Sequence, residues 1–338
     1  MLTVGLDVHF RKSSLCVLDE NGKKVRQVEV RGPWSEVVRE LGRLKEPFQI
    51  CYEASLGYGH LYEQIGRLRG VRRTVVAHPG QLRLIYKSKK KNDRVDGEKL
   101  AKLLYLDQVP AVHVPSQDVR SWRALIEWRQ KLLARRVMVK NQIRSLLRSH
   151  GVAPAKGCRL WTKAGRKWLG EQVFPTEFEG LRRDMLGAEL GEHDGRIKEV
   201  GQALEQIAAG HPGVALLRTI PGVGPRTAEA FVAYVDDAGR FGRSRDVGSY
   251  FGLVPCQDAS AGKNRLGHIT REGPGTVRKL LTEAAWQGVL RNERIRGHFA
   301  KICGADPGRR KIALIATARW LSTVMVAMLK TGECWREG

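Results

Sequence analysis

The chain has 338 residues, with 59 lysines and arginines against 35 aspartates and glutamates, a net charge of +24 and a pI near 10.2. That length exceeds one ordinary core and points to two or three domains, while a hydrophobic content of 42% excludes a disordered basic tail. So large a positive excess repels itself unless a polyanion neutralises it, which makes DNA, RNA or both the expected partners; a basic ribosome-associated protein is the plainer alternative.

Residues 2–8 and 13–18 are apolar and β-branched, a Glu-Asn-Gly-Lys turn signal follows at 20–23, and 24–30 alternates. That pattern predicts three strands joined as hairpins. Val37, Val38, Leu41 and Leu44 lie on one face of a helix expected over 35–44. A short strand over 48–53, a helix over 56–68 and a strand over 71–77, stopped by His78-Pro79, complete the series. Three hairpin-type strands followed by alternating helix and strand are the element order of an α/β, ribonuclease-H-like layered sheet.

Next comes a basic run at 87–91 containing Lys89, Lys90 and Lys91, then Asn92, placed to cap a helix that opens with Asp93 and Asp96. Leu100, Leu103, Leu104 and Leu106 are its expected core face. Two prolines mark 109–116 as a linker. Residues 118–150 form a long arginine-rich helical pattern. Trp122, Leu125, Leu132, Val139, Ile143 and Leu146 trace its apolar seam, with Arg136, Lys140 and Arg144 on the polar face. After a broken basic stretch over 151–175, Leu186, Leu190, His193, Ile197, Val200, Leu204 and Ile207 step by threes and fours. Such a stripe suits a coiled coil, paired within one chain or between two, and equally a plain bundle linking two domains.

From residue 211 the character changes. Ile-Pro-Gly-Val-Gly-Pro has the shape of a helix-hairpin-helix turn, in which Gly222 and Gly224 expose backbone N–H groups to a phosphate; a tight interhelical turn is the alternative. Residues 253–263 are expected as a loop of small residues around Ser260, followed by a basic hairpin over 264–271 and helices over 275–290 and 309–329. Cys16, Cys51, Cys158, Cys256, Cys303 and Cys334 never approach metal-binding spacing, and read as buried thiols in a reducing compartment. With no signal-peptide pattern and no run of about 18 uninterrupted apolar residues, a cytoplasmic location without membrane contact is expected.

Four carboxylates carry the chemistry. Asp7 sits in the apolar run Thr-Val-Gly-Leu-Asp-Val, Glu53 closes Phe-Gln-Ile-Cys-Tyr-Glu, and Asp93 and Asp96 share one helix face. A buried, unpaired carboxylate is costly, whereas gathered carboxylates are the hard oxygen ligands that Mg²⁺, or Mn²⁺ in its place, requires. Two ions about 3.5–4 Å apart serve phosphoryl transfer by flanking the attacking and leaving oxygens. Asp93 and Asp96 by themselves also suit ordinary first-turn acids favoured by the helix dipole. Ser260, in Asp-Ala-Ser-Ala-Gly-Lys, is either a nucleophile with Lys263 and Arg265 offsetting charge, or an exposed loop serine.

These motifs in order resemble the DEDD transposases of bacterial insertion sequences, of the IS-one-ten type and related to the Piv DNA invertases. The resemblance rests on Val-Gly-Leu-Asp-Val-His, Tyr-Glu-Ala-Ser and Lys-Asn-Asp-Arg-Val-Asp-Gly-Glu-Lys-Leu-Ala in the first half. In the second half it rests on Ile-Pro-Gly-Val-Gly-Pro, Tyr-Phe-Gly-Leu-Val-Pro and Ser-Ala-Gly-Lys-Asn-Arg-Leu-Gly-His-Ile-Thr. It implies a RuvC-like domain over 1–115, a helical, coiled-coil segment over 116–210, and a mainly α transposase domain over 211–338. It implies Asp7, Glu53, Asp93 and Asp96 as the metal-binding DEDD set and Ser260 as the catalytic serine, where relatives often carry two adjacent serines and this chain has Ala259 before it. It further implies donor and target DNA, a structured bridge RNA, and assembly from dimer to synaptic tetramer. The competing expectations are a RuvC-like junction endonuclease using water, and a noncatalytic nucleic-acid scaffold.

Overall fold

Apolar runs in the first eighty residues become a five-stranded sheet. The structure is a computed structural model describing residues 1–85, 93–154, 156–260 and 263–337, with backbone alone at 93, 94, 258–260, 263 and 264. It divides into two compact units, Met1–Asp118 and Val119–Gly338.

In the first unit the strands are β1 (Leu2–Asp7), β2 (Lys12–Leu18), β3 (Lys24–Arg31), β4 (Phe48–Glu53) and β5 (Val71–Ala77). They lie in the order β3-β2-β1-β4-β5. The hairpin partners β1, β2 and β3 run antiparallel, whereas β4 lies parallel to β1 and β5 parallel to β4. Helices α1 (Trp34–Gly42) and α2 (Tyr58–Gly66) make the crossovers that parallel neighbours require. Val4, Leu6, Leu15, Val17, Ile50, Tyr52, Val37, Leu41, Leu61 and Ile65 form one core on their side of the sheet. Burying each large side chain of that set contributes about 1.5–3 kcal/mol. After α3 (Pro79–Ile85), α4 (Asp93–Tyr105) covers the opposite face through Leu100, Ala101 and Leu104 against Cys16, Leu18, Cys51, Val75 and Ala77.

Several expectations shift here. Leu106 is 59% exposed, because α4 ends at Tyr105 and Asp107 turns the chain with φ +54°, off the helical face. The helix expected from Leu56 begins at Tyr58, since Gly57 is left-handed and Leu56 projects outward.

In the second unit, α5 (Gln117–Ser149) and α7 (Glu177–Ala209) are each 33 residues long, with α6 (Lys163–Gly170) between them in the stretch expected to be broken. Thr162 caps α6 by accepting from the Gly165 N–H. Val139, Ile143 and Leu146 near the end of α5 share a core with Leu186 and Leu190 near the start of α7, while Trp122 and Ile126 share one with Leu204. The two apolar stripes therefore pair antiparallel within one chain. Ile207 drops out of its stripe and is exposed.

Then follow α8 (Pro212–Leu217), α9 (Pro225–Val235), α10 (Val247–Tyr250), the hairpin β6 (Pro255–Ser260) and β7 (Lys263–Ile269), α11 (Gly275–Arg291), α12 (Glu293–Cys303) and α13 (Arg310–Thr331). The expected Ser260 loop is a strand end, where Ser260 pairs with Lys263. The span 307–331 has the length and hydropathy of a membrane helix, yet it packs within the core through Ala313, Ala318, Leu321, Met325 and Val326. Cys16, Cys51 and Cys303 are buried free thiols, and burial pushes Cys51 up to about 12; Cys256 and Cys334 are exposed instead.

Candidate functional site

Parallel pairing sets the first part of the site. Leu6 pairs with Tyr52 across β1 and β4, so the next residues, Asp7 and Glu53, end adjacent strands at the same sheet edge. Strand alternation sends Val4 and Leu6 to the α1–α2 core and therefore Gly5 and Asp7 to the α4 face. By the same rule Glu53 shares that face with Cys51.

Gly5 determines how α4 lies. A Cβ there would stand 2.0 Å from the Gly97 carbonyl oxygen and 2.3 Å from the Ala101 nitrogen, so helix and strand backbones are in direct contact. A Cβ on Gly97 would meet the Ser14 carbonyl at 3.1 Å. Ser14 is paired with Asp7, while Ala101 packs farther back along the sheet against Cys16 and Leu18. Helix α4 therefore runs antiparallel to β1, and its first turn, carrying Asp93 and Asp96, lies over the carboxyl ends of β1 and β4. Three of the four sequence-predicted acids, Asp7, Glu53 and Asp96, are brought to one edge, with the backbone of Asp93 beginning the same helix.

Electrostatics at this edge add two neighbours. Lys99 Nζ lies 3.0 Å from Asp96 Oδ1, one helical turn away, and His9 Nε2 lies 3.4 Å from Asp7 Oδ2. Ser14 Oγ, in a residue only 3% exposed, has no hydrogen-bond partner among the described residues. Among the described residues no group of three or more His, Cys, Asp or Glu side chains is gathered tightly enough to hold an ion; the side chain of Asp93 lies outside them. The donor chemistry nevertheless fits a hard divalent cation: carboxylates on strand ends and a helix start, beside a buried hydroxyl free to bond a ligand oxygen or water. Gly5, Gly97, Ser14 and Lys99 escaped sequence reasoning. Only the small residue at 5, in an otherwise bulky strand, hinted at a close approach.

In the second unit, Gly222 has φ +92°, and a Cβ there would be 2.4 Å from the Gly288 nitrogen, so its place is set by packing against α11. Gly224 caps α9 with open space around it. Arg136 pairs with Asp194, which also binds Arg166, and Lys140 and Arg144 flank the Trp161 ring at 5.0 and 5.2 Å. Burial, then the charge of Arg136, pulls Lys140 below the usual lysine range. These three cations are thus engaged within the chain. Arg265 is exposed on β7. Lys89, Lys90, Lys91 and Asn92 lie outside the described residues, as do the side chains of Ser260 and Lys263.

Comparison with known proteins bears on both units. A family model described as Transposase, of the DEDD type of IS110, matches residues 4–151, and one described as Transposase IS116/IS110/IS902 family matches residues 214–300. Both models describe IS110-family transposases, and together they match most of the chain. A putative transposase of Sinorhizobium fredii, y4qE, is 29% identical over 84% of this chain and 70% of its own length. The transposase for insertion sequence element IS1111A of Coxiella burnetii is 28% identical over 83% and 76%. A probable family 20 transposase of Pseudomonas aeruginosa is 26% identical over 89% of each chain. Both matches imply an enzyme that cleaves and recombines DNA.

Proposed function

We propose that this transposase cuts and exchanges strands between donor and target DNA through a phosphoserine at Ser260, with Asp7, Glu53, Asp93 and Asp96 as its metal-binding set. The observation that carries the reading is the Gly5–Gly97 contact, which draws the start of α4 over the ends of β1 and β4. The sheet order β3-β2-β1-β4-β5 supports a ribonuclease-H-like, RuvC-like assignment of the first unit. The strand and helix ends would hold Mg²⁺, or Mn²⁺ in its place, as a pair of ions. Bound there, they supply charge stabilisation to the scissile phosphate.

The chain's own groups do the rest. Ser260 Oγ forms a bond to phosphorus as the bond to the leaving strand oxygen breaks. The hydroxyl proton passes to a carboxylate of the set, and the departing oxygen takes up a proton. A free hydroxyl of the exchanged strand then forms the new ester, giving up its proton to the same carboxylate set, while the bond from phosphorus to the serine oxygen breaks and that oxygen takes up a proton. The bond energy that hydrolysis would discard is kept. Ser260 and the carboxylates belong to separate compact units, which supports delivery of the serine from another protomer in a synaptic tetramer. Phe178, Leu181 and Met185, exposed at helical spacing on α7, offer apolar surface for that assembly. A bridge RNA as guide suits the +24 charge, with Arg265, Lys263 and the Gly224 turn gripping backbone. The functional division 1–115, 116–210 and 211–338, in the cytoplasm, completes the reading.

Covalent adduct formation tests it. Full-length protein with Mg²⁺, element-end DNA and the RNA flanking the reading frame should give denaturation-resistant protein–DNA adducts. Ser260→Ala and Asp7→Asn should both abolish them while DNA binding persists. Adducts from Ser260→Ala, or hydrolytic products alone from the unaltered protein, would overturn the serine mechanism in favour of a water-using endonuclease.

A further inference from the structure

The second unit holds a cleft of about 550 Å³ that the chemistry above does not use. It opens between the turn over 243–246 with α10 and the pair α12–α13, and its walls carry Arg243, Arg245 and Arg319 together with His298 and Trp320. Asp246 is the acidic residue among its lining side chains. That carboxylate is already engaged: it pairs with the Arg243 guanidinium at 3.2 Å and accepts the Arg243 backbone N–H at 3.1 Å. Neither Arg245 nor Arg319 forms an ion pair within 4 Å among the described residues, although the Arg245 charge helps hold Asp246 low, and both side chains are exposed.

An aromatic pair shares this lining. The His298 and Trp320 rings are stacked, 4.6 Å between centroids and 18° apart in plane. Burial first, then the charges of Lys301 and Arg319, hold His298 below the usual imidazole range. It therefore meets Trp320 as a neutral ring at pH 7 and adds flat apolar surface in place of a fourth cation. Guanidiniums outside any ion pair and a stacked ring pair in one cleft are the two elements that hold a single strand, one binding phosphate and the other base. A duplex keeps its base faces inside the stack and offers such a ring pair nothing to bind.

We propose that this cleft holds a nucleotide of an unpaired nucleic-acid strand, its phosphate on Arg245 and Arg319 and its base against the His298–Trp320 stack. The assignment rests on the transposase reading for its supply of strands, but on no catalytic step.

The test is binding by the full-length protein in EDTA, which separates it from failure of the serine mechanism. Fluorescence anisotropy is read with labelled unpaired DNA and RNA oligonucleotides and a duplex, across a salt series. Arg245→Gln with Arg319→Gln, both exposed and outside any ion pair, leaves the fold intact and should weaken unpaired-strand binding about tenfold at physiological salt. The slope of log affinity against log salt should fall by about 0.7 for each phosphate no longer neutralised. Trp320→Leu should weaken it about fivefold or more with the slope unchanged, and duplex binding should barely move. The DNA and RNA arms identify which strand the cleft prefers. Affinity within twofold of the unaltered protein in the double variant overturns the proposal. Equal losses for duplex and unpaired strands overturn the single-strand assignment, and so does competition by AMP alone at oligonucleotide concentrations.

Discussion

Replacing Gly5 by alanine adds a single methyl group at the contact on which the candidate site depends. That methyl would stand 2.0 Å from the Gly97 oxygen and 2.3 Å from the Ala101 nitrogen, both backbone atoms that no rotamer change can move. Ordinary contact begins near 3.4 Å, so α4 has to retreat by about 1.4 Å. Overpacking of that kind costs about 1–3 kcal/mol. For a unit of this size that lowers the melting temperature by roughly 4–12 °C. On the proposed reading, in which Asp96 belongs to the metal-binding set, the same retreat shifts Asp96, next to Gly97, and a misplacement of about 1 Å can cost on the order of 100-fold in rate. Gly66→Ala serves as the control, because nothing lies within 4 Å of a Cβ at that helical position. It should be neutral or stabilising by up to about 1 kcal/mol. Melting by circular dichroism is read beside Mg²⁺-dependent DNA cleavage. If Gly5→Ala matches the unaltered protein in both, the helix does not depend on that contact and the reasoning fails.

Three further outcomes are expected. Glu229 is 2% exposed at its side chain and bonded to Arg226 at 3.0 Å. Arg226→Met, which strands that carboxylate, should therefore destabilise by about 3–5 kcal/mol. Adding Glu229→Met should recover much of the loss in denaturant titrations, and a double variant no better than the single would refute the pairing. Glu98 is held below the usual carboxylate range by Lys102 and Lys24, the latter bringing β3 to α4. A depressed carboxyl contributes stability above its unfolded pKa that is lost as pH falls through the folded one. Glu98→Gln should thus flatten the acid limb of the melting profile below about pH 4.5, and an unchanged limb would exclude the contribution. Gly222→Ala should sharply lower the yield of folded protein, because it combines φ +92° with a clash at the Gly288 nitrogen. Gly224→Ala, with open space around it, should fold with a melting temperature within a few degrees, about a kcal/mol of cap stability at most. Equal behaviour of the two glycine variants would show that the turn is not packed against α11.

The five strands of the first unit were legible as short runs rich in apolar and β-branched residues between turn signals; β1, β2 and β4 are buried on both faces, so their sequences are almost continuously apolar. Helix α6 was hidden by a basic composition whose lysines and arginines are as compatible with loop as with helix. Helix α12 was hidden too: its buried positions are few, Ile295 and Cys303. The strand that ends at Ser260 carries alanine, aspartate and serine, which have little strand preference of their own; pairing with β7 makes it a strand.

Composition alone pointed to a polyanion as partner, since charge adds up whatever the fold. Local pattern placed Asp7 and Glu53 at strand ends and Asp96 in a first helical turn, because period and capping are properties of neighbours in sequence. Only the tertiary structure decided that the backbones carrying these carboxylates lie at one sheet edge. That placement depends on two glycines, at 5 and 97, ninety-two residues apart, whose missing side chains let one backbone rest on another. It also decided which cations are spent. Arg136, Lys140 and Arg144 look the same in sequence as Arg245 and Arg319. The first three are matched by Asp194 and Trp161, while the last two face an open cleft. A charge in sequence has no partner until the fold brings one within a few ångströms, and that distance is what Coulombic interaction measures.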